Sequence, residues 1–382
     1  MYKLLIIPIL IIQLLLTSCV KEVYITDEIQ RIGPRLNYFD GRLGQDNHSA
    51  IIANDQNIVV CGYDNSRPLL LKINDQGNFV SSTEIALGYE SFGRSFVQLL
   101  NNDFLIAGNK NVSSRSLLEL YRCNENGVLL WTESFGETEA KAILALTDSL
   151  FLIVVQKDNL NASINLMYFH LREGLVSTHN ISNSDDLLFS QIIKTIDDHV
   201  LLVLGRDYYQ DPQIDVLKID NSGYTVWRKS YGQGLHSKPK VLELPNQNFI
   251  IAGNDISYSS ITDRNIILKM LNSNGDLLWE KNFGNDTINE LINGMVYNED
   301  NTITVLGHSY ESYGREKQIL LFKIDLSGEI IWQHEYPNDA ELVGTHLLKT
   351  KENDLVIIGK LGTSIFMNRL SSEGEILDSN TR

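Results

Sequence analysis

The most reactive side chains in the sequence are three thiols, Cys19, Cys61 and Cys123. Cys19 closes Leu16-Thr17-Ser18-Cys19, directly behind an apolar run that starts at Leu4. That run follows a single positive charge and is too short for a comfortable membrane span, which is the pattern of an export signal. Cys61 and Cys123 stand in apolar or turn contexts and read as unpaired, since a disulfide framework uses more cysteines in a shorter chain. Acidic turns are a second candidate: Asp220-Asn-Ser-Gly223 and Asp325-Leu-Ser-Gly328 start as calcium loops do. A calcium loop needs about six oxygens and a distal bidentate Glu. Neither segment is completed in that way, so both read as hairpin turns. Third, a cation recurs ahead of a glycine at Lys72, Arg122, Lys218, Lys323 and Arg369, with Lys269 one residue further off. Such a ring could hold an anion, or each stem could run along the fold to meet an acid or a turn carbonyl. Finally, Arg206, Tyr208, Tyr209, Tyr258, Tyr310, Tyr313 and Arg315 fall in three tyrosine-rich segments that form a candidate binding face. Tyrosine offers rigid contact area at low entropy cost, suited to a protein or a sugar. In plain surface loops the same tyrosines pack locally.

Enzymatic signatures are absent. There is no Gly-x-Ser-x-Gly elbow, no His-Glu-x-x-His and no phosphate loop. The eight histidines are scattered, and no cofactor or metal pattern emerges. The formal net charge of −16 opposes binding to phosphate backbones, which excludes nucleic acid as a partner class.

These residues must be positioned by strands. The chain is a series of apolar runs of about five to seven residues, punctuated by Asn, Asp, Ser and Gly. Repeats decide the architecture. Cys123-Asn-Glu-Asn-Gly127-Val-Leu-Leu-Trp131 aligns with Ile219-Asp-Asn-Ser-Gly223-Tyr-Thr-Val-Trp227. Leu271-Asn-Ser-Asn-Gly275-Asp-Leu-Leu-Trp279 and Ile324-Asp-Leu-Ser-Gly328-Glu-Ile-Ile-Trp332 follow the same pattern. Each ends five residues later at Gly136, Gly232, Gly284 or Pro337, after an aromatic. Weaker copies keep the glycine at Gly77, Gly174 and Gly374.

Seven copies, each long enough for four short strands, predict an all-β, seven-bladed β-propeller of antiparallel blades over residues 46–382. A lone four-stranded sheet cannot bury two partly apolar faces, whereas radial stacking covers both. Trp131, Trp227, Trp279 and Trp332 are then expected to dock between blades, each burying about 150–250 Å². In the sixth copy the strands are expected at Met295–Tyr297, Thr302–Gly307, Gln318–Ile324 and Glu329–Glu335. In the last they fall at His346–Thr350, Asp354–Gly359, Ser364–Leu370 and Glu375–Asp378. That final strand is poor, and Arg35–Phe39 is expected to pair at the ring seam.

The repeat resembles the tryptophan-docking repeats of pyrroloquinoline-quinone-type propellers, with Gly205, Gly253 and Gly307 at the glycine ending strand b. The resemblance implies the propeller class and not a function, and the quinone enzymes' catalytic set is missing. Asp-box repeats of sialidases put Trp three residues after Gly, not four. The outer-membrane assembly lipoprotein of the barrel-insertion machinery has a related architecture with eight blades.

Leu16-Thr17-Ser18-Cys19 resembles the lipobox of bacterial lipoproteins. The resemblance implies that residues 1–18 are a signal peptide and that Cys19 carries diacylglycerol and an acylated amine. Losing Lys3 leaves a mature charge of −17. Two or three acyl chains anchor stably. Residues 19–45 then form a tether and ring-closing segment, and no Asp follows Cys19, which favours the outer membrane of the cell envelope. Short Asp148-Ser-Leu150 and Asp286-Thr-Ile288 segments resemble O-glycosylation sites of Bacteroidota. The chain as a whole resembles uncharacterised propeller lipoproteins of that group. The expected function is a lipid-anchored, non-catalytic scaffold that binds a protein partner. The alternative is a glycan binder, or a hydrolase or lyase with carboxylates on the ring's face.

Overall fold

Each copy of the repeat folds as an antiparallel sheet whose two middle strands are apolar on both faces. In blade VI these are Ile303–Glu311 and Gln318–Ile324, the latter buried along almost its whole length. Continuous apolar runs of this kind need cover on both sides. The outermost strand instead alternates exposed and half-buried residues, as in Ile330–Tyr336. The computed structural model describes residues 37–39, 42–43, 50–64, 67–85, 90–113, 115–157, 163–182, 187–206, 213–232, 238–254, 264–284, 288–311, 317–336, 342–361 and 364–377.

Seven such blades form a β-propeller, with no helix among the described residues. We letter the strands a to d from the centre outward. Blade II is Ser91–Gln98, Phe104–Val112, Arg115–Cys123 and Leu129–Glu137. Blade III is Glu139–Ala145, Leu150–Lys157, Ser163–His170 and Gly174–Ser182. Blade IV is Leu187–Lys194, Val200–Arg206, Gln213–Ile219 and Thr225–Gly232. Blade V is Lys240–Glu243, Phe249–Asn254, Ile266–Leu271 and Leu277–Phe283, and blade VI starts with Ile288–Tyr297. The a strands of neighbouring blades pack together at the centre. The a–b and c–d turns share one end of the ring, and the b–c connections and the links between blades share the other.

The ring closes with both ends of the chain. Blade VII contributes Leu342–Lys349, Leu355–Leu361 and Ser364–Leu370. Its outer strand is the N-terminal Asn37–Phe39, paired Asn37 to Met367 and Phe39 to Ile365. Ile376 bridges Leu370 further along the same edge. Blade I follows, its strand a split into Arg42–Leu43 and Ala50–Ile52, both paired with Ile58–Asp64. Arg67–Ile73 and Phe79–Glu84 complete it. The propeller therefore draws on residues before 46.

Among the described residues the core divides into seven apolar clusters, each between two neighbouring blades. Blades I and VII meet through Ile58, Val60, Leu71, Val356, Ile358 and Met367. At the seam Arg369 donates to Asp75 O at 2.6 Å and pairs with Asp354 at 2.6 Å.

The c–d turns repeat one solution. All seven glycines have φ between +76° and +87°, the left-handed region where a Cβ costs energy. Asn74, Asn124, Asp220, Asn272 and Asp325 each accept two backbone N–H groups of their turn. The Asp220 and Asp325 carboxylates are thus turn caps.

Candidate functional site

The c–d-turn end is occupied by structural contacts. Trp227 lies over Gly275 of blade V, Trp279 over Gly328 and Trp332 over Gly374. A Cβ on Gly275 would sit 3.1 Å from the Trp227 ring. The Trp279 indole also donates to Leu326 O at 3.0 Å. Trp131 instead tilts against Phe169 of blade III, with ring centroids 6.2 Å apart. Blades I and III carry Ser81 and Ser177 at the tryptophan position. Between blades III and IV, Tyr168 and His179 cover Gly223 instead.

The repeated cations meet acids, mostly in the a–b turns. Lys218 pairs with Asp197 at 2.5 Å, Lys72 with Asp55 at 2.5 Å and Lys323 with Asp300 at 2.8 Å. Arg122 pairs with Asp103 at 2.8 Å. Blade V has Asn246 and Gln247 in that turn, and Lys269 turns to Glu280 on its own strand d. Burial raises the carboxyl of Asp197, but its bonds to Lys218 and Thr195 outweigh that and hold it below the usual carboxylate range. Cys61 and Cys123 are free and buried. Burial pushes the Cys61 thiol up, and the Cys123 thiol up to about 12, so neither is an available nucleophile.

The b–c end is less uniform. Where the apolar run of strand b ends, an amide side chain reaches the next blade in three places. Asn254 is fully buried, and its amide donates to Glu290 O at 2.7 Å. Asn109 accepts from Ala140 N at 3.1 Å, and Gln156 bridges Leu187 O and Phe189 N. These clasps were missed in the sequence. Their signal is an Asn or Gln closing an apolar strand b, twice as Gly-Asn.

Blades II and VI carry strand b four residues past its glycine, blade II in the b–c pairing and blade VI in the a–b pairing. The a–b hairpin of blade VI runs on past Gly307, pairing Leu291 with His308 and Asn289 with Tyr310. Tyr310, expected in a loop, therefore stands on a strand. Its ring stacks on His308 with centroids 6.1 Å apart and planes at 21°. Asn293, the extra residue of a bulge in strand a, places its amide nitrogen 2.8 Å from His308 Nδ1. With the amide donating, that nitrogen accepts and Nε2 carries the proton. Bulges re-aim side chains in this way. Ahead of strand a, Gly284 has φ +143°, and a Cβ there would fall 2.2 Å from Asn265 Oδ1 and 2.7 Å from Glu290 Oε2. The rim of blades V and VI therefore gathers Asn254, Asn289, Glu290 and His308 as buried polar side chains beside half-buried Tyr310.

Of the expected binding face, Tyr310 is thus placed. Arg206 ends strand b of blade IV, opposite Leu187 and Gln213. Tyr208, Tyr209, Tyr258, Tyr313, Arg315 and Cys19 lie outside the described residues. Among the described residues no group of three or more His, Cys, Asp or Glu could hold a metal ion, and no helix is long and apolar enough to cross a membrane. What the rim offers to contact is the half-buried Tyr310 ring, stacked on the buried His308 imidazole.

No family profile and no curated protein matches the chain. Solved structures do, at the level of the fold. A polysaccharide lyase, an ulvan lyase bound to -[GlcA(1-4)Rha3S]-, aligns with a TM-score of 0.57 at 10% identity, covering 89% of this chain and 97% of its own. Drosophila Plexin A, solved in complex with Semaphorin 1b, aligns with a TM-score of 0.51 at 10% identity, covering 87% of each chain. Puromycin hydrolase aligns with a TM-score of 0.58 at 10% identity over 89% of this chain, which spans about half (54%) of that enzyme. Propellers that serve a lyase, a receptor and a hydrolase share with this chain its fold alone.

Proposed function

We propose that this protein is a non-catalytic binding scaffold, held in the cell envelope by lipid on Cys19 and gripping a protein partner with its b–c face. The membrane in question is the outer membrane. The observation that carries the reading is the extended hairpin of blade VI, which holds the half-buried Tyr310 at the rim, stacked on buried His308. A stiff hairpin presenting an aromatic costs little entropy to order on binding, and tyrosine is enriched at protein contacts. The tyrosine-rich segments around Tyr208, Tyr258 and Tyr313 follow strands b of blades IV to VI in sequence.

Crosslinking in the native host, followed by purification and mass spectrometry, tests this. The comparison is a variant with Tyr208, Tyr209, Tyr310 and Tyr313 changed to Ala. A stoichiometric protein recovered with the wild type and lost with the variant supports the scaffold. Recovery of no protein with the wild type overturns it and directs the search to glycans.

A further inference from the structure

Strand d in each of blades I to VI starts with a bulge, and the extra residue is aliphatic every time. The six are Val80, Leu130, Val176, Val226, Leu278 and Ile331. Each is between 46% and 53% exposed, and each has an exposed apolar companion, such as Leu277 or Ile330. One exposed aliphatic residue is ordinary. Six at one structural position, each lifted out of the ladder by a bulge, make a repeated apolar rim around the c–d-turn end. Leu100 and Ile196, exposed on a–b turns, extend it inward on the same side.

Two further observations bear on what the rim can meet. Asn37–Phe39 runs antiparallel to Ser364–Leu370, so the chain enters the ring from the c–d-turn side. Cys19 precedes Asn37 by eighteen residues, a reach of at most about 60 Å. A tether of that length confines the ring to the neighbourhood of its anchor without fixing which side faces it. Charge narrows the surface. Asp276, Asp325, Glu329 and Glu375 crowd the same turns; Lys229 and Lys281 offset Asp276 and Glu329, and the excess that Asp325 and Glu375 leave is negative and repels anionic lipid.

We propose that this apolar rim docks on a zwitterionic lipid surface, with the c–d-turn end down on the bilayer and the b–c face held away from it. The proposal rests on lipidation of Cys19. The anchor raises the local concentration of lipid around the rim, and the rim sets the orientation.

The test uses the lipidated protein in phosphatidylcholine vesicles, labelled with an environment-sensitive fluorophore at Val226→Cys or, on the opposite side, at Lys157→Cys. Cys61 and Cys123 are buried, which directs the label to the introduced thiol. The label at 226 blue-shifts on vesicles and is quenched by lipid-borne nitroxide, while the label at 157 is unaffected. Phosphatidylglycerol weakens the effect. In the unlipidated Cys19→Ser chain, Val226→Ser, Leu278→Ser and Ile331→Ser together lower vesicle affinity by about tenfold or more. Protein that floats with vesicles while position 226 stays in water overturns the rim and spares the anchor. Protein that fails to float overturns the anchor, and equal affinity of the Cys19→Ser chain with and without the three serines then overturns the rim as well. A concentration-dependent shift without lipid assigns the rim to a second copy of the chain and overturns the proposal.

Discussion

At the c–d-turn end, seven glycines take the same left-handed conformation, the indoles of three blades lie over the next blade's glycine, and cations meet acids in the a–b turns of blades I, IV and VI. At the b–c end, three blades close with an amide clasp and blade VI pushes out a hairpin carrying His308 and Tyr310. The first end is where one blade recognises the next, so its residues are fixed by the geometry of stacking. The second is released from that constraint once the clasps hold the strands. Regularity thus marks the stabilising end and departure from it marks the end available for recognition.

The seam should give the largest effect. Arg369→Met strips the cation from the buried Asp354 carboxylate and removes the bond to blade I, at about 3 kcal/mol in urea unfolding. Lys281→Met breaks the more exposed pair with Glu329 and should cost less than about 1 kcal/mol. Equal losses would break the contrast. Next, Trp279→Ala should cost about 2–3 kcal/mol, below a fully buried tryptophan because the ring is half-exposed. Ser81→Ala, at the matching position of blade I, should stay within about 0.5 kcal/mol. Gly275→Ala forces a Cβ into the left-handed region and against the Trp227 ring, for about 1–2 kcal/mol.

Acid acts on the same end. Burial raises the carboxyls of Asp55, Asp197 and Asp300, but their bonds to Lys72, Lys218 and Lys323 hold all three below the usual 3.8. A carboxyl lowered in the folded state stabilises above its unfolded value and loses that contribution as pH falls through the folded one. Urea midpoints should therefore be flat on the neutral side and fall below the carboxylate range, and Lys323→Met should shallow that fall. Smallest of all, Tyr310→Ala should change stability by less than about 1 kcal/mol while weakening recovery of the partner, measured by unfolding and recovery in parallel.

The stabilising end was legible in the sequence because its chemistry is local. Gly-x-x-x-Trp, the Asx caps and the apolar c strands occur within one repeat, and Gln318–Ile324 and Ser364–Leu370 were read with the bounds the structure shows. Strand a was read short. In blade VI it starts at Ile288, not near Met295, because Asn289, Glu290, Asn293 and Gly294 break the apolar alternation. Those residues answer to the neighbouring blade and to strand b, which sequence spacing does not reveal. Tyr310 was placed in a loop for the same reason: His308, Ser309 and Tyr310 lack the apolar run of the strand they extend. The bulged aliphatics of strand d were visible as residues, but their exposure follows from the register alone.

The most direct test of the account is a lysine crosslinking map of the protein in its native envelope. Lys157, Lys238 and Lys317 mark the b–c end, and Lys229 and Lys281 mark the outer strands d beyond the tryptophans. The account predicts that intermolecular crosslinks to one partner protein concentrate on Lys157, Lys238 and Lys317 and weaken in the Tyr310→Ala variant. Crosslinks that concentrate on Lys229 and Lys281, unchanged by that substitution, would contradict it.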